Sequence, residues 1–252
     1  MANVLVEQKD RTTILTLNRP DRRNALTIDL MREIATAVEN AAADTTQRVL
    51  ILRGAGKAFS PGLDLNETTI TERAHQSADA VAQMLLAVSQ TRLITIAEIH
   101  VAAVAGGAGL MSSCDFVVAA ERTKIGYPEA KRGLVAGLVM TFLRRQLRER
   151  DVRELLFTGE LITAERAKEI GLVNRVVSPN ELEGEVKKLS DSILQNAPGA
   201  LASAKRLLEE LWSTSVQQDV DRALQHHMEA RESAEAKEGI AAFLEKRSPN
   251  WT

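Results

Sequence analysis

Hydrophobic and polar positions divide the chain into two regimes. In the first, short apolar runs alternate with helical spacing. Val4–Val6 and Thr13–Leu17 read as strands separated by the polar turn Lys9-Asp10-Arg11. Asn18-Arg19-Pro20-Asp21 closes the second strand, because proline donates no ladder hydrogen bond. Apolar residues then recur three or four apart at Leu26, Leu30, Met31, Ile34, Val38 and Ala41, which is one face of a helix. Val49-Leu50-Ile51-Leu52 is continuously apolar, as a strand covered on both faces requires. A helix is expected through Ala80–Ser89, a long strand through Ile94–Ala105, a short helix through Met111–Cys114 and a strand over Phe116–Ala119. In the second regime, from Thr141 on, helical spacing dominates. It covers Val152–Leu156, Ala164–Ile170, Leu182–Ile193, Ala200–Trp212, Val216–Glu229 and Ile240–Glu245, with one strand, Val173–Val177, among them. The pattern predicts an α/β fold with a core over residues 1–195 and a helical layer of the same domain over 196–252. A helical end so dependent on amphipathic faces is expected to pack on another subunit.

Composition narrows the classes of function. At 252 residues and 44% hydrophobic content, the chain can bury a core without metal or disulfide staples. Its 32 basic and 34 acidic residues leave a net charge of −2, and aromatics are 3%. Neither nucleic acid nor an anionic membrane surface is an expected partner, since the electrostatic attraction and the stacking platforms are missing. No apolar stretch approaches the ~18 residues of a membrane span. Cys114 is the one cysteine, so an intrachain disulfide is excluded and a Cys-based zinc site is not expected. A single thiol without a signal peptide points to a reducing compartment, the cytoplasm.

Three glycine turns follow apolar runs: Arg53-Gly54-Ala55-Gly56, Ser60-Pro61-Gly62-Leu63-Asp64 and Gly106-Gly107-Ala108-Gly109. Glycine lets the backbone expose N–H groups and lets a ligand approach. A helix beginning at Gly107 would add its dipole, so this turn suits a phosphate or a carbonyl oxygen that becomes anionic. It equally suits a tight strand-to-helix connection with no ligand. Gly107-Ala108-Gly109-Leu110-Met111-Ser112 carries serine where a dinucleotide fingerprint needs its third glycine, and no phosphate-loop Gly-Lys-Ser/Thr occurs. In Gly126-Tyr127-Pro128-Glu129, Pro128 fits the first turn of a helix and Glu129 follows it, as a reactive carboxyl or as a capping one. His100 reads as a core histidine. His226-His227 lies on a charged helix without a His-Glu-x-x-His arrangement, and Ser60, Ser112 and Ser113 have no nucleophile-elbow context. Cys114 reads as a packing residue.

In their order and spacing, several segments resemble the crotonase (enoyl-CoA hydratase/isomerase) family. They are Asn18-Arg19-Pro20 with Asn24-Ala25-Leu26, Lys57 to Leu65, Ala105 to Leu110 with Cys114-Asp115, Gly126 to Glu129, and Phe157-Thr158-Gly159 with Ala164, Ala167 and Gly171-Leu172-Val173. The likeness covers nearly the whole chain. It implies a spiral of repeated β-β-α turns with a C-terminal helical trimerisation layer, homotrimers or homohexamers, an acyl-CoA thioester substrate, and neither a metal nor a cofactor beyond the substrate's own coenzyme A. By the same match, the backbone N–H groups of Leu63 and Gly106 form an oxyanion hole and Glu129 is catalytic. Ala25, Ser60, Gly62, Asp64, Gly107, Gly109 and Tyr127 then bind substrate. Arg22, Arg23 and Lys57 flank the first motifs as candidates for the coenzyme's phosphates, and Phe243 is a candidate to cover a neighbouring subunit's coenzyme.

The departures from the family pattern matter. Family hydratases use two glutamates; the second matches Glu129, but the first falls on Gly109, which has no side chain. Pro61 stands where a small residue is usual, and Val101 where glycine is. The resemblance thus implies hydration of a 2-enoyl-CoA. The Gly109-Leu110 variant and the Gly133–Leu138 segment also resemble branched, methylglutaconyl-type hydratases. Δ3–Δ2 double-bond isomerisation by a single glutamate, and binding of acyl-CoA without catalysis, are the alternatives. Tyr127 and the apolar residues after Gly133 are expected to bury Glu129 and raise its pKa. Acyl-chain preference is expected to depend on the loop over Thr68–Ala80.

Overall fold

The computed structural model describes residues 2–68 and 71–251; of the Thr68–Ala80 loop, Thr69 and Ile70 lie outside the described residues. The strands are β1 (Val4–Lys9), β2 (Thr12–Leu17), β3 (Val49–Gly54), β4 (Ile94–Ile99), β5 (Ala102–Val104), β6 (Phe116–Ala120), β7 (Lys124–Gly126), β8 (Ile162–Thr163) and β9 (Arg175–Val177). The helices are α1 (Ile28–Ala43), α2 (Thr71–Gln90), α3 (Gly106–Ser112), α4 (Gly137–Gln146), α5 (Glu149–Thr158), α6 (Ala164–Glu169), α7 (Leu182–Leu194), α8 (Pro198–Glu210), α9 (Val216–Arg231) and α10 (Ala234–Glu245).

Side chains alternate across β3, and this organises the core. Leu50 and Leu52 enter a large cluster with α1, α2, α3 and α4. Val49 and Ile51 face the other way, onto Leu182, Val186, Leu189 and Ile193 of α7. A strand packed on both faces has no polar side to show, hence its unbroken apolar run. Among the described residues, the main sheet has the order β1-β2-β3-β4-β6-β9, antiparallel at β1–β2 and parallel elsewhere. A smaller sheet, β5-β7-β8, stands beside it. Isolated bridges Leu26–Leu63 and Ser60–Ala103 stitch the loops between them.

The expected long strand over Ile94–Ala105 is two strands in different sheets. The chain breaks at His100-Val101, where Val101 takes φ +59° and its carbonyl accepts from Lys124 N at 2.9 Å. This left-handed conformation is where glycine fits, and a β-branched residue is strained there. Hydrophobicity persists across the break, so the pattern does not mark it. The short helix expected over Met111–Cys114 instead begins at Gly106 and ends at Ser112, because the reversal at Ala105 (φ +50°, ψ −125°) starts it at once. Helix α2 is longer than its expected Ala80–Ser89 segment. Its first half buries Ala74, Ser77 and Ala78, small residues that carry little hydrophobic signal.

The C-terminal helices differ in their attachment. Helix α8 buries no residue completely and leaves Leu207, Leu208, Leu211 and Trp212 at its end exposed. Helix α9 packs on α4 and α2. Helix α10 lies against the 3₁₀ turn Pro128–Arg132 backbone to backbone: a Cβ on Gly239 would sit 2.4 Å from the Arg132 carbonyl, and one on Gly133 2.4 Å from that of Glu235.

Val101 is 59% exposed, so removing its side chain forfeits little burial. Val101→Gly is expected to raise stability by roughly 1 kcal/mol, about 2–4 °C in thermal midpoint, through relief of the left-handed strain. Calorimetry of both proteins checks this, and an unchanged or lower midpoint contradicts it.

Candidate active site

The site begins with Asn24. Its buried side chain donates from Nδ2 to the carbonyls of Ala55 and Ala58, both at 2.9 Å, and accepts from Arg19 N at 2.8 Å. This ties the segment before α1 to the loop after β3. The next residues pair with the third loop: Leu26 N donates to Gly62 O (2.8 Å) and Asp64 N to Leu26 O (2.9 Å). A parallel bridge made this way uses the groups either side of Leu63 and leaves Leu63's own N–H on the opposite edge.

Gly62 takes φ +97°. A Cβ there would lie 2.9 Å from Ala105 Cβ, 2.9 Å from Val104 O and 3.1 Å from Gly106 N, so only glycine permits the contact. The contact brings the Leu63 turn against the Gly106 turn. Gly106 opens α3, so its N–H has no intrahelical acceptor. Among the described residues, neither Leu63 N–H nor Gly106 N–H donates to any acceptor.

Both residues line a cavity of about 350 Å³. Glu129 shares its wall, carried on the 3₁₀ turn that Pro128 opens and Gly133 (φ +64°) closes. Leu134, Ala136, Leu138 and Val139 supply apolar lining beside it. Glu129 Oε2 is enclosed and has no hydrogen-bond partner. Burial pushes this carboxyl up to about 7, against weaker opposition from its backbone hydrogen bond and from the Arg132 charge. Arg132 is held by Pro128 O and by the ring of Phe243, 4.2 Å from its guanidinium carbon. Two aligned main-chain donors can hold an oxygen on which negative charge develops. A carboxyl poised near neutrality can take up and return a proton beside them.

Of the expected site residues, Ala25, Leu63, Asp64, Gly106 and Glu129 line the cavity. Ser60, Gly62, Gly107, Gly109 and Tyr127 do not; they stand behind its wall. Ser60 is fully buried, its hydroxyl donating to Asn24 O (2.9 Å) and accepting from Gly62 N (3.3 Å). Gly107 packs so closely that a Cβ would meet Ser60 O at 2.5 Å. Tyr127 is fully buried with its hydroxyl 2.7 Å from Ser112 Oγ. At Gly109 a Cβ would meet Val139 Cγ1 at 2.4 Å, so Val139 fills the place a side chain would take. Arg22 and Arg23 line the cavity, with Pro61, whereas Lys57 does not. Phe243 lies on the wall of its own chain's cavity.

One wall residue was missed. His227 lines the cavity, its Nδ1 3.0 Å from Val135 O. A carbonyl only accepts, so Nδ1 carries the proton and the neutral ring keeps its lone pair on Nε2. Burial holds its pKa below the ordinary histidine value. The signal was present in α9, whose buried positions Val216, Val220, His227 and Arg231 fall on one helical face.

The comparisons with known proteins agree with this architecture. The family model for enoyl-CoA hydratase/isomerase matches residues 7–252. The chain belongs to that family. A crotonyl-CoA hydratase of Syntrophomonas wolfei is 33% identical over 257 residues, 99% of this chain and 97% of the relative. A 2,3-dehydroadipyl-CoA hydratase of Escherichia coli is 32% identical, covering 100% and 99%. The crystal structure of an enoyl-CoA hydratase from Mycobacterium avium superposes with a TM-score of 0.86 at 32% identity and full coverage of both chains. The fold is thus the crotonase-like α/β fold, and the chain is an enzyme of the enoyl-CoA hydratase/isomerase family, which acts on acyl-CoA thioesters. Among the described residues, no group of three His, Cys, Asp or Glu side chains could hold a metal, and no helix is long and apolar enough to cross a membrane.

The Gly109–Val139 packing makes a coupled prediction. Gly109→Glu alone is expected to destabilise the fold by more than about 3 kcal/mol, since the new side chain overpacks a closed site and buries a charge. Adding Val139→Gly opens that space and is expected to recover at least about 1 kcal/mol. Urea unfolding of the two single variants and the double variant measures the coupling. Additive effects would show that Val139 does not occupy the space.

Proposed function

We propose that this enzyme adds water to a 2-enoyl-CoA with Glu129 as its sole catalytic carboxyl. The observation that carries the reading is one cavity shared by an enclosed carboxyl and two unengaged main-chain donors. The Glu129 carboxylate takes a proton from water as the water oxygen bonds to Cβ. The π electrons move through Cα onto the thioester oxygen, which rests between the N–H groups of Leu63 and Gly106. The protonated Glu129 then returns that proton to Cα and the carbonyl reforms, so H and OH add to the same face. Each donor is worth about 3 kcal/mol of transition-state stabilisation. Arg22 and Arg23, on the cavity wall, meet the coenzyme's phosphates. Hydration of a branched, methylglutaconyl-type substrate is the narrower form of this reading, supported by the Gly109-Leu110 and Gly133–Leu138 segments.

Gly109 favours a second reading. With Val139 in place of a second acid, one carboxyl suffices to carry a proton between Cα and Cγ, which is Δ3–Δ2 isomerisation. We further infer a homotrimer or homohexamer, supported by the exposed Leu207, Leu208, Leu211 and Trp212, and a reducing, cytoplasmic location, supported by the free, buried Cys114.

Incubation with crotonyl-CoA and with a 3-enoyl-CoA in ¹⁸O-labelled water separates these. Heavy oxygen in the crotonyl product marks hydration, a mass-neutral shift of the double bond marks isomerisation, and binding without turnover marks neither. Glu129→Gln is expected to lower kcat by at least ~10³; full turnover by a folded variant sinks the proposal. Because the base must be ionised, kcat/KM should rise with pH through about 7.

The same carboxyl links pH to stability. Its folded pKa of about 7 lies above the unfolded 4.5, so its contribution is favourable to folding at low pH and is lost as pH rises through 7. Relative to wild type, Glu129→Gln should gain up to about 3 kcal/mol between pH 5 and pH 8. Denaturant unfolding at the two pH values reads the change, and parallel behaviour of the two proteins contradicts it.

A further inference from the structure

Helix α9 carries two ionisable residues on the face that the fold buries. Val216 and Val220 enter the apolar core, and at the next buried positions the face becomes His227 and then Arg231. Arg231 is 6% exposed, and Nε, Nη1 and Nη2 all lack a hydrogen-bond partner. A guanidinium is an obligate cation with five donors, and an enclosed one without a counter-ion is costly. Nothing in the chain offsets this charge among the described residues. The adjacent acid, Glu232, points to His75 on α2, 3.2 Å away.

The place of Arg231 decides what would offset it. It lies one helical turn, about 5.4 Å, beyond His227, which lines the cavity that holds Glu129. Helix α9 packs there on α2, whose Val81 also lines the cavity. Arg231 itself does not line the cavity, and the arginines that do have different duties. Arg132 faces the Glu129 charge, Pro128 O and the Phe243 ring. Arg22 and Arg23 flank Ala25 and Asp64 on the wall, next to the Leu63 turn. Arg231 alone among these four is enclosed with every guanidinium nitrogen unpartnered.

We propose that Arg231 with His227 forms a subsite for a carboxylate at the far end of the acyl chain, so that the preferred substrates are 2-enoyl-CoA thioesters ending in –COO⁻. This rests on the acyl-CoA reading of the cavity and specifies its substrate class. A carboxylate matches the planar fork of the guanidinium with two parallel N–H···O bonds. Arg231 stands behind that wall in this structure, and the subsite requires its flexible stem to turn past His227 so that the fork meets the carboxylate. A chain ending in methyl leaves the cation unpaired and gains nothing from it.

The test compares two six-carbon 2-enoyl-CoAs, one ending in methyl and one in carboxylate, with wild type, Arg231→Met and Arg231→Lys. Wild type is expected to favour the carboxylate ester by tenfold or more in kcat/KM. In Arg231→Met that ratio should fall to about one, mainly through the KM of the carboxylate ester, and Arg231→Lys should retain part of it. Arg231→Met should melt no lower than wild type, since it removes an uncompensated buried charge. Equal kcat/KM for both esters in wild type overturns the proposal, as does an Arg231→Met variant that melts lower with its ratio unchanged. If Arg231→Met does not fold, the wild-type ratio and Arg231→Lys decide. Calorimetric binding of the two saturated six-carbon acyl-CoAs separates the claims. Tighter binding of the carboxylate ester without turnover of either enoyl ester sustains the subsite and defeats the hydration reading. Hydration of both esters at equal efficiency does the reverse.

Discussion

The turn at Gly62 and the turn at Ala105–Gly106 touch main chain to main chain, and the arrangement of the cavity follows from that contact. Leu63 is carried on one turn and Gly106 on the other, and their N–H groups remain free because the Leu26 bridge uses the groups on either side of Leu63 and Gly106 is the first residue of its helix. Backbone donors need no rotamer to be ordered and cannot swing away. Their direction is set by elements packed in the core, with Asn24 fixing one loop and Ala105 forcing the reversal in the other. A site that must hold charge on one oxygen gains from such rigidity, because the dipoles need no reorganisation when the charge arrives.

The carboxyl opposite is tuned by a different means. Glu129 sits on a short turn between a proline and a left-handed glycine, and apolar side chains from the start of α4 deny it water. Arg132 is close enough to oppose the resulting shift but does not cancel it. A free carboxyl in water has a pKa near 4 and is a poor proton acceptor at neutral pH. The enclosed one can hold or release its proton at little cost, which a lone acid-base group needs if it is to act in both directions.

Much of this was legible in the sequence where the physical signal was local. Continuous apolar runs located β3 and the start of β4, and the ordered glycine and Glu129 motifs located the walls of the site. What stayed hidden was information that hydropathy does not carry. The break at Val101 has no polar or glycine punctuation, so one strand was expected where two exist. The first half of α2 is packed by alanine and serine, whose periodicity is faint. Motif residues also occupy two kinds of place: Ser60, Gly107, Gly109 and Tyr127 pack closely behind the wall, whereas Leu63, Gly106 and Glu129 line it. His227 lies on a charged helix without a His-Glu-x-x-His arrangement and so gave no motif signal, although its spacing from Val216 and Val220 placed it inward.

The seating of α10 through Gly133 and Gly239 has a mechanical meaning. With no side chain between them, the last helix and the Glu129 turn are seated main chain against main chain. Residues far along the chain thereby become part of the hinge on which the acid is mounted. Anything that grips α10, such as an appended segment or a neighbouring molecule, acts directly on the angle at which that acid faces its target.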